Sequence, residues 1–186
     1  MIKNQSMFTN IELEFLKTLV GKKFDSFFCD KFTFNTMAYG VVYFKIGTKE
    51  FSITNLQEPI DCLGDIEDGG VFKINYDVNE RKSLLENMEL IKHSVNSKIK
   101  NIYIVNDKQS IESNNELYEY ETTVGFIFEV EDNYQIGFER TVFFSEDINV
   151  IQGYEVVNKF VSVDELLEQY DKEYNPKCSR EIIKIN

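Results

Sequence analysis

The chain holds one alanine in 186 residues (Ala38), no tryptophan, one histidine (His93), two prolines and three cysteines. Each scarcity excludes something. With a single histidine, a Ser-His-Asp or Cys-His catalyst would have to use His93, with Cys62 or Cys29 as the thiols nearest in sequence. One histidine and three scattered cysteines give no zinc-ligand spacing. Cys29, Cys62 and Cys178 are odd in number and lack a C-x-x-C pair, so free thiols and a cytoplasmic protein are expected. No basic segment followed by an apolar one opens the chain. No apolar run approaches the ~18–20 residues of a membrane span, so no membrane partner is expected.

Phosphate-binding signatures are missing too: there is no G-x-x-x-x-G-K-[ST] and no G-x-G-x-x-G. Asp65, Glu67 and Asp68 form a weak candidate cation loop, but an EF-hand needs glutamate at the twelfth position, where this chain has Tyr76. Carboxylate pairs arise by chance among 32 acidic residues, so their abundance alone signals no acid–base site. No metal and no cofactor are expected.

What is abundant is Ile, Phe, Tyr, Asn and Lys, all encoded by A/T-rich codons. Hydrophobic residues make up 42% of the chain and aromatics 14%, too many for disorder. The length suits one domain, residues 1–186. The net charge of −12 is uneven. Residues 1–110 hold 14 Lys/Arg against 15 Asp/Glu, net −1, while residues 111–186 hold 6 against 17, net −11. Such a balance disfavours direct nucleic-acid binding, which needs positive charge to displace phosphate counterions.

Hydrophobic period assigns most elements. Between residues 117 and 144 two alternating runs flank Glu131-Asp132-Asn133. A three-residue loop sets Val130 against Tyr134, Phe128 against Ile136 and Phe126 against Phe138, keeping the apolar sets on one face. Unbroken alternation then places Glu119, Glu121, Glu129 and Glu139 together on the outer face, with Thr123 opposite Thr141. A solvated sheet face is the plain reading of that pattern, and a surface for a basic partner the sharper one. Between residues 40 and 55, a two-residue turn at Gly47-Thr48 pairs Phe44 with Phe51, Val42 with Ile53 and Lys45 with Glu50.

Thr9-x-x-Glu12 and Ser162-x-x-Glu165 are capping boxes, opening helices over about 9–20 and 162–174. A further helix is expected from Asn79 to Val95, carrying His93. Strands are expected over 71–76, 99–105, 148–157 and 181–185, and residues 24–34 read as one strand or an irregular core-filling segment. Residues 56–70 read as non-periodic and 110–116 as a polar connector.

The expected fold is therefore α+β, a bent and mainly antiparallel sheet built from the hairpins at about 40–55 and 117–144, with two to three helices packed on it. The functional expectation is a non-catalytic binding or inhibitor protein whose acidic face engages a basic protein, in the manner of immunity proteins or nucleic-acid mimics. A homo-oligomeric assembly protein, such as a homodimer through a sheet edge, is the first alternative. A carboxylate-based, metal-dependent enzyme is the second.

Overall fold

Two turns fix the hairpins that alternation predicts. Gly47 adopts φ 58°, and β4 (Val41–Ile46) meets β5 (Lys49–Cys62) with Phe44 against Phe51, Val42 against Ile53 and Lys45 against Glu50. Asp132 and Asn133 both adopt left-handed φ, and the Val130 N–H donates to the Tyr134 carbonyl at 2.8 Å. That three-residue loop joins β8 (Glu116–Val130) to β9 (Gln135–Arg140) with Phe128 against Ile136 and Phe126 against Phe138.

The computed structural model describes residues 1–31, 37–113, 115–140 and 144–186. The expected pairing of Thr123 with Thr141 and the end of the 24–34 segment lie outside the described residues. Among the described residues eleven strands form one open sheet. Besides those given, they are β1 (Ile2–Ser6), β2 (Lys23–Asp30), β3 (Met37–Tyr39), β6 (Asp65–Asn75), β7 (Leu90–Ser113), β10 (Asp147–Gly153) and β11 (Lys177–Ile185). The path runs β3-β10-β9-β8-β7-β2-β4-β5-β6, with β1 added parallel to β8 and β11 antiparallel to β7. β7 joins the two halves, since its first part pairs with β2 and its second with β8. Phenylalanines from the halves meet in the core: Phe24 with Phe128 at 5.0 Å, Phe44 with Phe138 at 5.1 Å and Phe72 with Phe126 at 5.7 Å between centroids.

The helical content is smaller than expected. α1 (Asn10–Lys17) and α2 (Val163–Leu167) both begin with the predicted capping boxes, at Thr9 and Ser162. α2 stops after five residues, and only a 3₁₀ turn follows at Lys172–Tyr174.

No helix forms over Asn79–Val95; residues 90–95 lie in β7, and Phe27 pairs with His93. Pairing along β2 outweighs the local helical spacing, because tertiary contacts override weak propensity. An irregularity hides the strand from periodicity: Phe24 faces Ser97 but Ser26 faces Ser94, giving β7 one extra residue, with Asn96 at φ 53°. Residues 56–70 are also strand rather than loop. Leu63 and Gly64, both at positive φ, turn β5 into β6, with Cys62 against Asp65. Pro59 is tolerated because beyond Thr54 β5 pairs with β6 alone. Of the expected connector at 110–116, residues 110–113 end β7 and Glu116 begins β8.

A second bulge has larger consequences. Val105 faces Gly125 but Asn106 faces Thr123, so Val124 is an extra residue on β8. Alternation before Val124 is thus reversed relative to alternation after it. Phe126 and Phe128 enter the aromatic core, whereas Tyr118 and Tyr120 pack on the other face with Ile111, Tyr170 and Tyr174. Val124 and Ile127 lie under Val156 and Phe160, so the chain after β10 covers the sheet face expected to be open. Among the described residues no helix is long and apolar enough to cross a membrane.

Candidate functional site

The four glutamates predicted to share a surface are divided by the Val124 bulge. Glu119 and Glu121 fall on the Lys108 side of β8. Lys108 lies 3.7 Å from Glu119 and 3.3 Å from Glu121, and Lys3 of β1 lies 3.0 Å from Glu121. Bonds from Gln5 and Lys3, reinforced by Lys108, pull the Glu121 carboxyl down to about 2. Glu129 sits on the opposite face. Burial pushes its carboxyl up, but bonds from Asn101, Gln135 and Tyr103 outweigh burial and hold it below the usual range. Glu139 shares that face and is 1% exposed, accepting from the Val161 N–H at 2.6 Å and from Asn149 at 3.3 Å. Burial raises it to about 7 despite those bonds and the nearby Arg180, which itself pairs with Asp107 through two 2.7 Å contacts. As placed, the four carboxylates form two separate, largely satisfied clusters.

Asp65, Glu67 and Asp68 lie on β6 rather than in a loop, all exposed. Strand alternation turns Asp68 to the face opposite Asp65 and Glu67, and no group of three metal-ligating side chains occurs among the described residues. The three carboxylates instead belong to a charged arm. The β5–β6 hairpin carries Glu58, Asp61, Asp65, Glu67 and Asp68, and from Phe51 to Phe72 the chain has no lysine or arginine. A balanced count over residues 1–110 concealed this local charge. The missed signal was the absence of any basic residue across 22 consecutive positions.

Beside the arm lies a cleft of about 550 Å³, lined by β1, the start of α1, both strands of the β5–β6 hairpin, and β8 at Tyr120–Thr122. Its polar groups are held in place. Glu12 closes the Thr9 capping box with one oxygen and accepts from the Ile74 N–H with the other, at 3.0 Å. Asn4 donates to the Asp61 carbonyl at 2.9 Å, and Glu58 pairs with Lys73. Met7, Ile11 and Tyr76 add exposed apolar surface, Ile11 being 75% accessible.

His93, the lone histidine, stacks on Phe27 at 4.6 Å, and burial lowers its affinity for a proton. It lies outside the cleft lining. Comparison with protein-family models, with curated proteins and with solved structures returns no match to this chain.

Proposed function

We propose that this protein is a non-catalytic binding module that engages a basic polypeptide partner through the acidic β5–β6 hairpin and its adjoining cleft. The observation that carries this reading is the arm itself: five carboxylates, no cation over 22 residues, and a position beside a cleft of about 550 Å³. Concentrated charge of one sign raises the local concentration of opposite charge and speeds encounter. The carboxylates inside the cleft support binding over acid–base chemistry. Glu12 and Glu58 already have partners, and Glu121, at about 2, is a weak base at neutral pH. Asp65, Glu67 and Asp68 have no salt bridge among the described residues, which leaves their charge available to a partner.

Neutralising the arm tests the reading. Asp65→Asn, Glu67→Gln and Asp68→Asn together leave the exposed strand folded, since such positions contribute little stability. Affinity for a basic partner captured from native extract is expected to drop at least tenfold. Lys45→Gln on the neighbouring turn is expected to leave it unchanged. Retention of full affinity by the neutralised hairpin at low salt overturns the assignment.

A further inference from the structure

The free edge of β6 gives the proposed partner a binding mode. In an antiparallel strand the N–H and C=O of one residue point to the same side, and successive residues alternate sides. The Gly70 carbonyl accepts from Arg140, and the Ile74 N–H donates to Glu12, so even-numbered residues of β6 direct their peptide groups away from β5. Phe72 lies between them and, set against Asn55 in the same register, turns its N–H and carbonyl the same way, the residue as a whole being 2% exposed. Phe72 also lines the cleft.

Across the cleft stands β1, which among the described residues pairs with β8 alone and turns alternate peptide groups away from it. Side chains reach main-chain groups of the hairpin at separate points, one on β5 and one on β6. Asn4 of β1 holds the Asp61 carbonyl, and Glu12, at the start of α1, holds the Ile74 N–H. An unpaired strand edge is a template for another strand, and proteins normally blunt or cover it. Here charge blunts the tip, and the Phe72 stretch opens into the cleft.

We propose that the cleft accepts an extended segment of a partner protein by strand addition to β6, the segment alternating basic and apolar side chains. This rests on the binding function proposed above. Charge complementarity selects the occupant: the arm supplies carboxylates for Lys or Arg, and Met7, Ile11 and Tyr76 supply apolar contact. Residues Val71–Tyr76 line the cleft, a stretch matched by a partner strand of about five residues, or ~17 Å, with Glu12 giving up the Ile74 N–H. A second copy of this chain is disfavoured, because pairing β6 with β6 brings two acidic arms into one sheet, where like charges destabilise. Main-chain bonds supply affinity in such complexes and side-chain pockets supply specificity.

The test uses ten-residue peptides alternating Lys or Arg with Val, Thr or Leu, each with a twin N-methylated at alternate residues. Methylation removes main-chain donors and keeps the charge. At low salt a member of the panel is expected to bind and to slow hydrogen exchange at the Phe72 amide at least tenfold. Its methylated twin is expected to bind at least tenfold more weakly. Equal binding by the twin overturns strand addition and leaves the charge-based function standing. Failure of every peptide overturns both. A concentration-dependent dimer by light scattering, with the Phe72 amide protected in it and no peptide effect, replaces the partner segment with a second copy and overturns the proposal.

Discussion

Glu139 shows how position rather than residue type sets charge. It is buried among Asp107, Arg180, Asn149 and the Val161 N–H, and its carboxyl titrates near 7 instead of the ordinary 4.5. The folded protein therefore holds a proton that the unfolded chain has released between those two values. Linkage then makes stability fall as pH rises through that window, by on the order of 1–3 kcal/mol for this group. Glu121 acts with the opposite sign. Its lowered carboxyl contributes stability that is present above the ordinary value and lost as pH falls toward 2. Glu139→Gln keeps an acceptor for Val161 and removes the titration. The variant is expected to be about 1 kcal/mol more stable than the parent at pH 8 and nearly equal at pH 5, as read by urea denaturation. A parent curve that is flat from pH 5 to 8 refutes the assignment.

At the scale of elements, two bulges do most to shape the sheet. In β7 the extra residue leaves Asn96 left-handed at φ 53°, a conformation that asparagine tolerates and β-branched residues resist. Asn96→Gly is expected to change stability by only a few tenths of a kcal/mol. Asn96→Val is expected to cost about 1–3 kcal/mol, through backbone strain alone. Thermal melts of the two variants check the left-handed conformation, and a valine variant as stable as the parent refutes it. In β8 the bulge at Val124 lets one strand serve the aromatic core with Phe126 and Phe128 and the opposite face with Tyr118 and Tyr120. Gly125 beside it is tightly overlaid, for a Cβ there would meet Phe160 at 2.5 Å and the Phe138 carbonyl at 2.8 Å. The segment after β10 thus lies directly on the sheet backbone.

Across the whole molecule, cohesion comes from packing and hydrogen bonds without covalent staples. Cys29, Cys62 and Cys178 are free, and burial pushes the Cys29 thiol up to about 12, so it stays protonated at neutral pH. With no loop-closing crosslink to lose, the melting temperature is expected to be the same with and without reductant. A fall of several degrees on reduction would show a disulfide in the native protein. The charge of the whole is also redistributed by folding. Carboxylates from the strongly acidic second half find cations from the first, as Glu121 does with Lys3 and Lys108. The unpaired acids of the β5–β6 arm come from the half that is nearly neutral by count.

Local chemistry alone determined the two hairpin registers and both capping boxes. In each case the deciding residues lie within a few positions of one another: Gly47-Thr48, the three-residue loop at 131–133, Thr9 with Glu12, Ser162 with Glu165. Periodicity also fixed the predominance of antiparallel strands. It did not reveal β7 before residue 99, nor the strands at 56–70. The first is interrupted by the Asn96 bulge. The second projects beyond the core, where nothing selects an apolar alternation. Only the tertiary structure decided which face each glutamate takes, because one extra residue at Val124 reverses every side chain on one side of it. It alone brought β1 and β6 to opposite walls of a cleft. Those strands lie some 60 residues apart in the chain, and their approach is set by how β7 carries one half of the sheet over the other.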